Sequence, residues 1–229
     1  MPHCADISIA QSQSLLASSR LLLRGGFNFG PDDAPPPGRS GTPAKSLLLV
    51  GNAGSDYWPI FQSWLQGQPD NLRNPLDTWS REVLGSVAYA IGARAVSPAD
   101  KPYLPFQTWA LRAEGLRASP LGILMHPLYG VWHAYRGALL LDVEIVIQQP
   151  RNPIHLCDLC VGKDCLKACP VAAHSVEEFA YESCLAHVRD TQGEACLRDG
   201  CRDRNACPIA SEFRYAPAVQ AFHMAAFAA

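Results

Sequence analysis

The sequence predicts an α/β protein of the α+β kind, with a sheet-and-helix domain over residues 1–150 and a small cysteine-rich domain over 151–229. Three observations carry this prediction. Residues 74–92 place apolar side chains at helical spacing, and short apolar runs of strand length recur between residues 46 and 147. Of nine cysteines, eight lie between positions 157 and 207, where the apolar periodicity fades. With 229 residues, 48% of them hydrophobic, the chain can bury a real core.

Each element follows from its own residues. "SQSLLASSRLLLRGG" puts Leu15, Leu16, Leu22 and Leu23 on one helical side and meets Gly25 and Gly26, so it reads as a helix stopped by glycine. The Pro/Gly-rich stretch 31–43 is a loop leading into "SLLLV" (46–50), a continuous apolar run that suits a buried strand. "GNAG" (51–54) lacks the G-x-G-x-x-G of a phosphate loop and reads as a strand-to-helix turn. Asn74 as N-cap, Pro75 at the first helical position, and Leu76, Trp79, Val83, Val87 and Ile91 at intervals of three and four define a long helix. A weaker helical pattern covers about 103–117. "LGILM", "VWHAYRGALLL" and "VEIVI" then read as strands, with a turn at "HPLYG". In the middle strand, Val131, His133 and Tyr135 share one face, and Trp132, Ala134 and Arg136 the other. After "QQPRNP" (148–153) cysteines take over, which sets the expected boundary near residue 150.

The formal charge is −2 with a pI near 6.4, and the 19 basic residues are scattered along the chain. The expectation is therefore no nucleic-acid partner. No segment approaches the 18 apolar residues a membrane helix needs, and "MPHCADISIA" lacks a basic run followed by an apolar one. The chain is expected to be soluble and cytoplasmic, with no membrane partner.

In a reducing compartment, clustered cysteines bind metal or do redox chemistry more often than they form structural disulfides. Zinc is a second reading, because Cys157-x2-Cys160 is a usual half-site, but no second tight pair accompanies it. "CDLCVGKDCLKACP" (157–170) and the run ending in Cys207-Pro208 each approach a Cys-Pro ending through further cysteines. That is the signature of bacterial two-cluster ferredoxins, in which the cysteine before the proline serves the other cluster. The x4 before Cys165 and the x4 and x5 around Cys201 are longer than the usual x2. Eight cysteines suit two [4Fe–4S] clusters, four each. The crossing rule gives one cluster Cys157, Cys160, Cys165 and Cys207, and the other Cys169, Cys184, Cys196 and Cys201. Ser175 with Glu178 reads as a capping box, which puts Cys184 on or at the end of a short helix. Cys4 is left as an ordinary free thiol.

"HPLYGVWHAYRGALLL" (126–141) resembles the His-Pro-aromatic-Gly-x-Trp…Arg-Gly segment of the cobalamin C-type vitamin B12-processing proteins. "LLLVGNAGSDYWPIFQSWL" and "NPLDTWSREVLGSVAYAIG" resemble the strand and helices that precede it there. Joined to a two-cluster ferredoxin-like domain, the chain also resembles epoxyqueuosine reductase and, more distantly, reductive dehalogenase, which share a nitroreductase-like corrinoid-binding fold. Epoxyqueuosine reductases also carry an isolated cysteine between the two runs, where Cys184 stands. The resemblance spans most of residues 45–210.

The resemblance implies an oxidoreductase in which two clusters supply electrons to bound cobalamin, fed by an electron donor protein or flavin reductase. Arg136 matches an arginine at the site of thiol cosubstrate and cofactor, and Trp132, Tyr129 and His126 are the other cofactor-binding candidates. The plainer readings are a solvated strand arginine, core or loop aromatics, and a turn histidine held by backbone. No catalytic acid is evident. Epoxyqueuosine reductases usually continue into a helical-repeat tail that helps hold tRNA, whereas this sequence ends 22 residues after Cys207, so a tRNA substrate is not expected. Dehalogenases carry a twin-arginine signal that is absent here. Two alternatives remain open: a ferredoxin-type electron carrier that docks a partner, and a zinc-stabilised interaction module.

The cysteine count itself makes a prediction. Cys4→Ser should leave the iron content of anaerobically purified protein unchanged, and a loss of about four iron per chain would move Cys4 into a cluster.

Overall fold

The computed structural model describes residues 9–147 and 153–229. Cys4 and the segment around residue 150 lie outside the described residues. The strands are β1 (Leu22–Asn28), β2 (Ser46–Ala53), β3 (Arg94–Val96), β4 (Arg117–Ala118), β5 (Leu124–Met125) and β6 (His133–Leu141). The helices are α1 (Ile9–Ala17), α2 (Trp58–Leu65), α3 (Pro75–Ile91), α4 (Phe106–Glu114), α5 (Leu156–Leu159), α6 (Tyr181–Arg189), α7 (Glu194–Asp199), α8 (Arg202–Asn205) and α9 (Pro217–Ala228). The fold is α+β. Two compact units divide it, one within Met1–Gly115 and Ala134–Asn152, the other Leu116–His133 with Pro153–Ala229. The segment 116–133, assigned from sequence to the first domain, therefore packs with the cysteines.

The first unit is built on a four-stranded sheet in the order β1-β2-β6-β3, with β1 antiparallel to β2 and β3 antiparallel to β6. Every residue of β2 is buried, as its unbroken apolar run requires. Helix α3 forms where the spacing predicts it, burying Leu76, Trp79, Val87 and Ile91 with Leu84 in place of the expected Val83, which is half-buried, and ends at Gly92 in the left-handed region (φ 73°). Its expected cap behaves differently: Asn74 is itself left-handed (φ 50°) and its side chain makes no capping bond. The weaker pattern over 103–117 is realised as α4.

Two expectations are corrected. The helix ending at Gly25 and Gly26 is in fact α1 followed by strand β1. Ser19 turns the chain by donating from both N–H and Oγ to Leu16 O, and Leu22 and Leu23 pair with Gly51 and Val50. The two glycines sit at a register shift inside the strand. A Cβ on Gly25 (φ 76°) would stand 2.7 Å from Ala113 O of α4, and one on Gly26 2.3 Å from Leu47 O. They permit a bulge with close packing on both sides, not a helix stop. Second, the described residues of "VEIVI" form no strand. The Asn28 side chain takes both backbone groups of Ile145 (3.0 and 3.1 Å) and Ser46 Oγ donates to Val143 O (2.7 Å), so side chains satisfy a backbone that would otherwise need a ladder partner.

A buried ionic network pins the sheet to α4. Arg24, 2% exposed, donates from Nε and Nη2 to the two carboxylate oxygens of Glu114 at 2.9 and 3.0 Å. The Tyr135 hydroxyl donates to the same carboxylate, and the Arg24 guanidinium lies 5.0 Å from the Tyr135 ring centre. Burial pushes the Tyr135 phenol well above its ordinary range, so it stays a donor. Tyr57, Phe61 and Trp79 form an aromatic core between α2 and α3.

The second unit pairs β4 antiparallel with β5 and closes the "HPLYG" turn with reciprocal His126–Gly130 backbone bonds of 2.9 Å. Short helices α5–α8 carry or flank the cysteines. Among the described residues, no helix is long and apolar enough to cross a membrane.

Gly137 is a sharp test of the sheet's packing. A Cβ there would meet Leu84 Cδ1 at 2.4 Å and Val96 O at 2.6 Å. Gly137→Ala should destabilise the protein by about 3 kcal/mol, read as a lower denaturant midpoint at unchanged slope.

Candidate functional site

The eight cysteines of the second unit are all free thiols. Cys157 lies in α5 and Cys160 caps its end, while Cys165 sits in a 3-10 turn at Asp164–Leu166. Cys169 follows, half-buried, with its Sγ accepting from Ala173 N–H at 3.4 Å. Cys184 is on α6, as expected, although Ser175 caps a turn and not that helix: its Oγ accepts from Glu177 and Glu178 N–H, and α6 begins at Tyr181. Cys196 is buried in α7, Cys201 leads into α8, and Cys207 follows that helix, buried.

Their mutual electrostatics sort into two sets. Cys157 feels the thiols of Cys207, Cys165 and Cys160. Cys165 feels Cys207 and Cys160, and Cys207 feels Cys160. Separately, Cys184 feels Cys201, Cys169 and Cys196, and Cys201 feels Cys169. No resolved interaction crosses from one set to the other among these residues. The first set opens on one small cavity, walled by Leu121, Met125, Val131 and Ile209.

Burial pushes the Cys157 and Cys184 thiols up to about 11, and those of Cys165, Cys201 and Cys207 upward as well. Dry, neutral thiols are poor nucleophiles, which sets these cysteines apart from reactive ones. A metal centre removes such protons outright. Backbone N–H groups already wait for the resulting charge, from Ile209 at Cys207 and from Asp203 and Arg204 at Cys201. Among the described residues, no three His, Cys, Asp or Glu side chains converge on a single-ion site. Two sets of four thiols, the first with an apolar wall and each with N–H groups at sulfur, fit a cluster's donor requirement.

One buried carboxylate joins the cysteine runs. Asp203 is fully buried and accepts Ala168 N–H at 3.1 Å through Oδ1, while Oδ2 pairs with His174 Nδ1 at 2.9 Å. His174 stacks on Phe179, 4.7 Å between ring centres. Nothing in the spacing pointed to Asp203, Lys163 or Arg204 as partners of the cysteines; the one available signal was that all three sit between cysteines.

The four other candidates divide between the units. Within the cysteine unit, His126 Nδ1 accepts from Leu128 and Tyr129 N–H at 3.0 and 3.1 Å, and its ring stacks on Tyr129 at 4.3 Å. Trp132 is fully buried, with the Arg204 guanidinium 4.7 Å over its ring and Tyr215 edge-on at 5.6 Å. Arg136 belongs to the other unit. It is 9% exposed, donates from Nε to Asn52 Oδ1 at 2.8 Å and lies 5.4 Å from the Tyr57 ring centre. It is thus a buried arginine and not a solvated one, and its partner Asn52 comes from the "GNAG" stretch, whose first three residues continue β2.

No protein-family profile and no curated protein matches the chain. Solved structures do. Epoxyqueuosine reductase from Streptococcus thermophilus aligns at 18% identity and TM-score 0.49 over 73% of this chain and 50% of that one. This chain spans about half the length of that reductase. Epoxyqueuosine reductase from Bacillus subtilis, with its catalytic loop swung out of the active site, aligns at 15% identity and TM-score 0.51 over 90% and 67%. An epoxyqueuosine reductase with an epoxyqueuosine-modified tRNA stem loop aligns at 14% and TM-score 0.51 over 91% and 68%. The fold is that of the epoxyqueuosine reductases. The expectation of no nucleic-acid partner does not stand, since a protein of this fold was solved with a tRNA stem loop. A net charge near zero averages over faces and says nothing of the local potential on any one of them.

Proposed function

We propose that this chain is an iron–sulfur oxidoreductase whose cysteine unit holds two [4Fe–4S] clusters and supplies electrons to a corrinoid. One cluster is held by Cys157, Cys160, Cys165 and Cys207, the other by Cys169, Cys184, Cys196 and Cys201. The observation that carries this reading is the convergence of Cys157, Cys160 and Cys165 of the first run with Cys207 of the second on one small cavity, while Cys169 of the first run neighbours Cys184, Cys196 and Cys201. When bound, such clusters supply one-electron transfer at a potential set by charge, hydrogen bonds to sulfur and exposure. The chain's own residues provide the thiolates, the N–H donors to sulfur, and an apolar wall that excludes water. Cobalamin binding is supported by the resemblance of residues 126–141 and by Arg136, whose buried Nη2 has no hydrogen-bond partner among the described residues and could make a charge-assisted hydrogen bond to a ligand. A second reading, reduction of epoxyqueuosine in tRNA, is favoured by the fold neighbour solved with a modified tRNA stem loop.

Anaerobically purified protein should be brown, with about eight iron and eight sulfide per chain; bound zinc without iron would overturn the cluster reading. Cys207→Ala should abolish the paramagnetic signal of the cluster it shares with Cys157 and leave the other, and the reverse outcome would break the assigned pairing. Adding cobalamin should shift its visible band as its lower base detaches. Arg136→Ala should weaken that binding about 10- to 150-fold while iron content stays intact. No binding by calorimetry at hundreds of micromolar would remove the corrinoid. Salt-dependent binding of an epoxyqueuosine-modified stem loop, followed by loss of its epoxide, would establish the second reading.

A further inference from the structure

Charges around the two thiol sets are unequal. Lys163 stands in the x4 loop between Cys160 and Cys165, where ferredoxin runs usually have x2. It takes a left-handed conformation (φ 47°), lines the cavity of the first set and donates from Nζ to Cys157 O. The two extra residues thus bring a cation to the thiols. Arg204 donates to the carbonyl of Val131 in the same cavity wall, and Arg214 donates to Asn205 O at 2.8 Å, with both guanidinium groups acting on Cys207. Carboxylates stand at both sets: Asp164 lines the cavity of the first, and Asp203, fully buried and accepting the N–H of Ala168 beside Cys169, acts on Cys184 and Cys201 of the second and on Cys165 of the first. The difference lies in the cations, since among the described residues none acts on Cys184 or Cys201. The basic side chains next to the second set in sequence, Arg198 and Arg202, act on Asp199 at the surface.

We infer that the two clusters rest at different potentials, and that the one held by Cys157, Cys160, Cys165 and Cys207 is reduced first and stores the electron. The inference rests on the cluster reading above. Reduction adds one negative charge to a site, which cations favour and a buried carboxylate opposes. Two effects oppose this order. Backbone N–H groups are more numerous at the second set, from Ala173 at Cys169 and from Asp203 and Arg204 at Cys201, but they bring partial charges where Lys163, Arg204 and Arg214 bring whole ones to the first. Deeper burial of the first set disfavours added charge, but the same low dielectric strengthens the field of Lys163. An electron shared between the two sites would therefore rest at the first. Lys163, Arg204 and Arg214 would offset the negative charge that reduction adds there, with no proton uptake required.

The test is an anaerobic redox titration of the full chain followed by electron paramagnetic resonance, after iron analysis. Two separate midpoints are expected. Lys163→Gln should lower the upper midpoint so that the oxidised-to-reduced ratio at fixed potential changes about tenfold, equivalent to about 59 mV, and leave the lower one in place. Asp203→Asn should raise both midpoints, because Asp203 acts on Cys184 and Cys201 of one set and on Cys165 of the other. Arg214→Gln, a surface change, gives an independent check on the upper midpoint if Asp203→Asn fails to load iron. Equal midpoints in iron-replete protein, or a Lys163→Gln shift confined to the lower one, would overturn the inference while leaving the cluster reading intact. Iron-free protein would remove both.

Discussion

The cysteine unit depends on one fully buried carboxylate. Asp203 bonds the backbone beside Cys169 and the His174 ring, so the stretch between the last two cysteines is fastened to the first run. The helices here run from four to twelve residues, too short to define a core by their own apolar faces. What fixes them is polar: Asp203, the paired amides of Asn205 and Gln220 at 2.9 and 3.1 Å, and the Arg204 guanidinium between Trp132 and Tyr215. Such contacts are worth most where water is excluded, and breaking a buried charged pair costs about 3–5 kcal/mol. The thiols inherit their positions from this frame.

The other unit solves a different problem with similar chemistry. Its sheet has ample apolar surface, and β2 is buried along its whole length. Burial alone does not fix the register of an all-apolar strand, because a slip by two residues hides the same faces. The Arg24–Glu114–Tyr135 network supplies the missing specificity, since only one alignment of β1, α4 and β6 brings the three groups together. Gly26, Gly51 and Gly137 allow the close backbone and side-chain approaches that this alignment demands. Arg136 and Asn52 repeat the device one residue further along β6, leaving a guanidinium nitrogen buried and available to a ligand.

Function enters where these frames carry uncompensated chemistry. Neutral thiols in a dry cavity are stable only while they stay protonated, and the donor groups aimed at their sulfurs have nothing to stabilise until the protons leave. The cysteine unit thus holds eight thiols, four of them buried, with backbone N–H groups at Cys169, Cys201 and Cys207 and cations beside the first set. The proposed pair of iron–sulfur clusters would complete that charge balance, and the unequal cations would give it a direction.

Much of this was legible in the chain itself. Long helical periodicity located α3, and an unbroken apolar run located β2, because burial of a repeating face dictates residue type locally. The count of eight clustered cysteines, with proline after two of them, was enough to raise the expectation of two ligand sets, since metal ligation imposes fixed residue types at short spacings. Where glycine carried the signal, the sequence misled: Gly25 and Gly26 end a helix in one setting and open a bulge in another, and only the approach of Ala113 decides which. "VEIVI" had strand composition but met side chains and not a ladder. The same limit hid Asp203, Lys163 and Asn52, whose roles come from atoms 29 to 84 positions away or from a loop conformation. Pattern in the chain determines what must be buried or ligated; which distant polar group meets it is decided by packing, because a carboxylate or a lysine has no signature until its partner arrives.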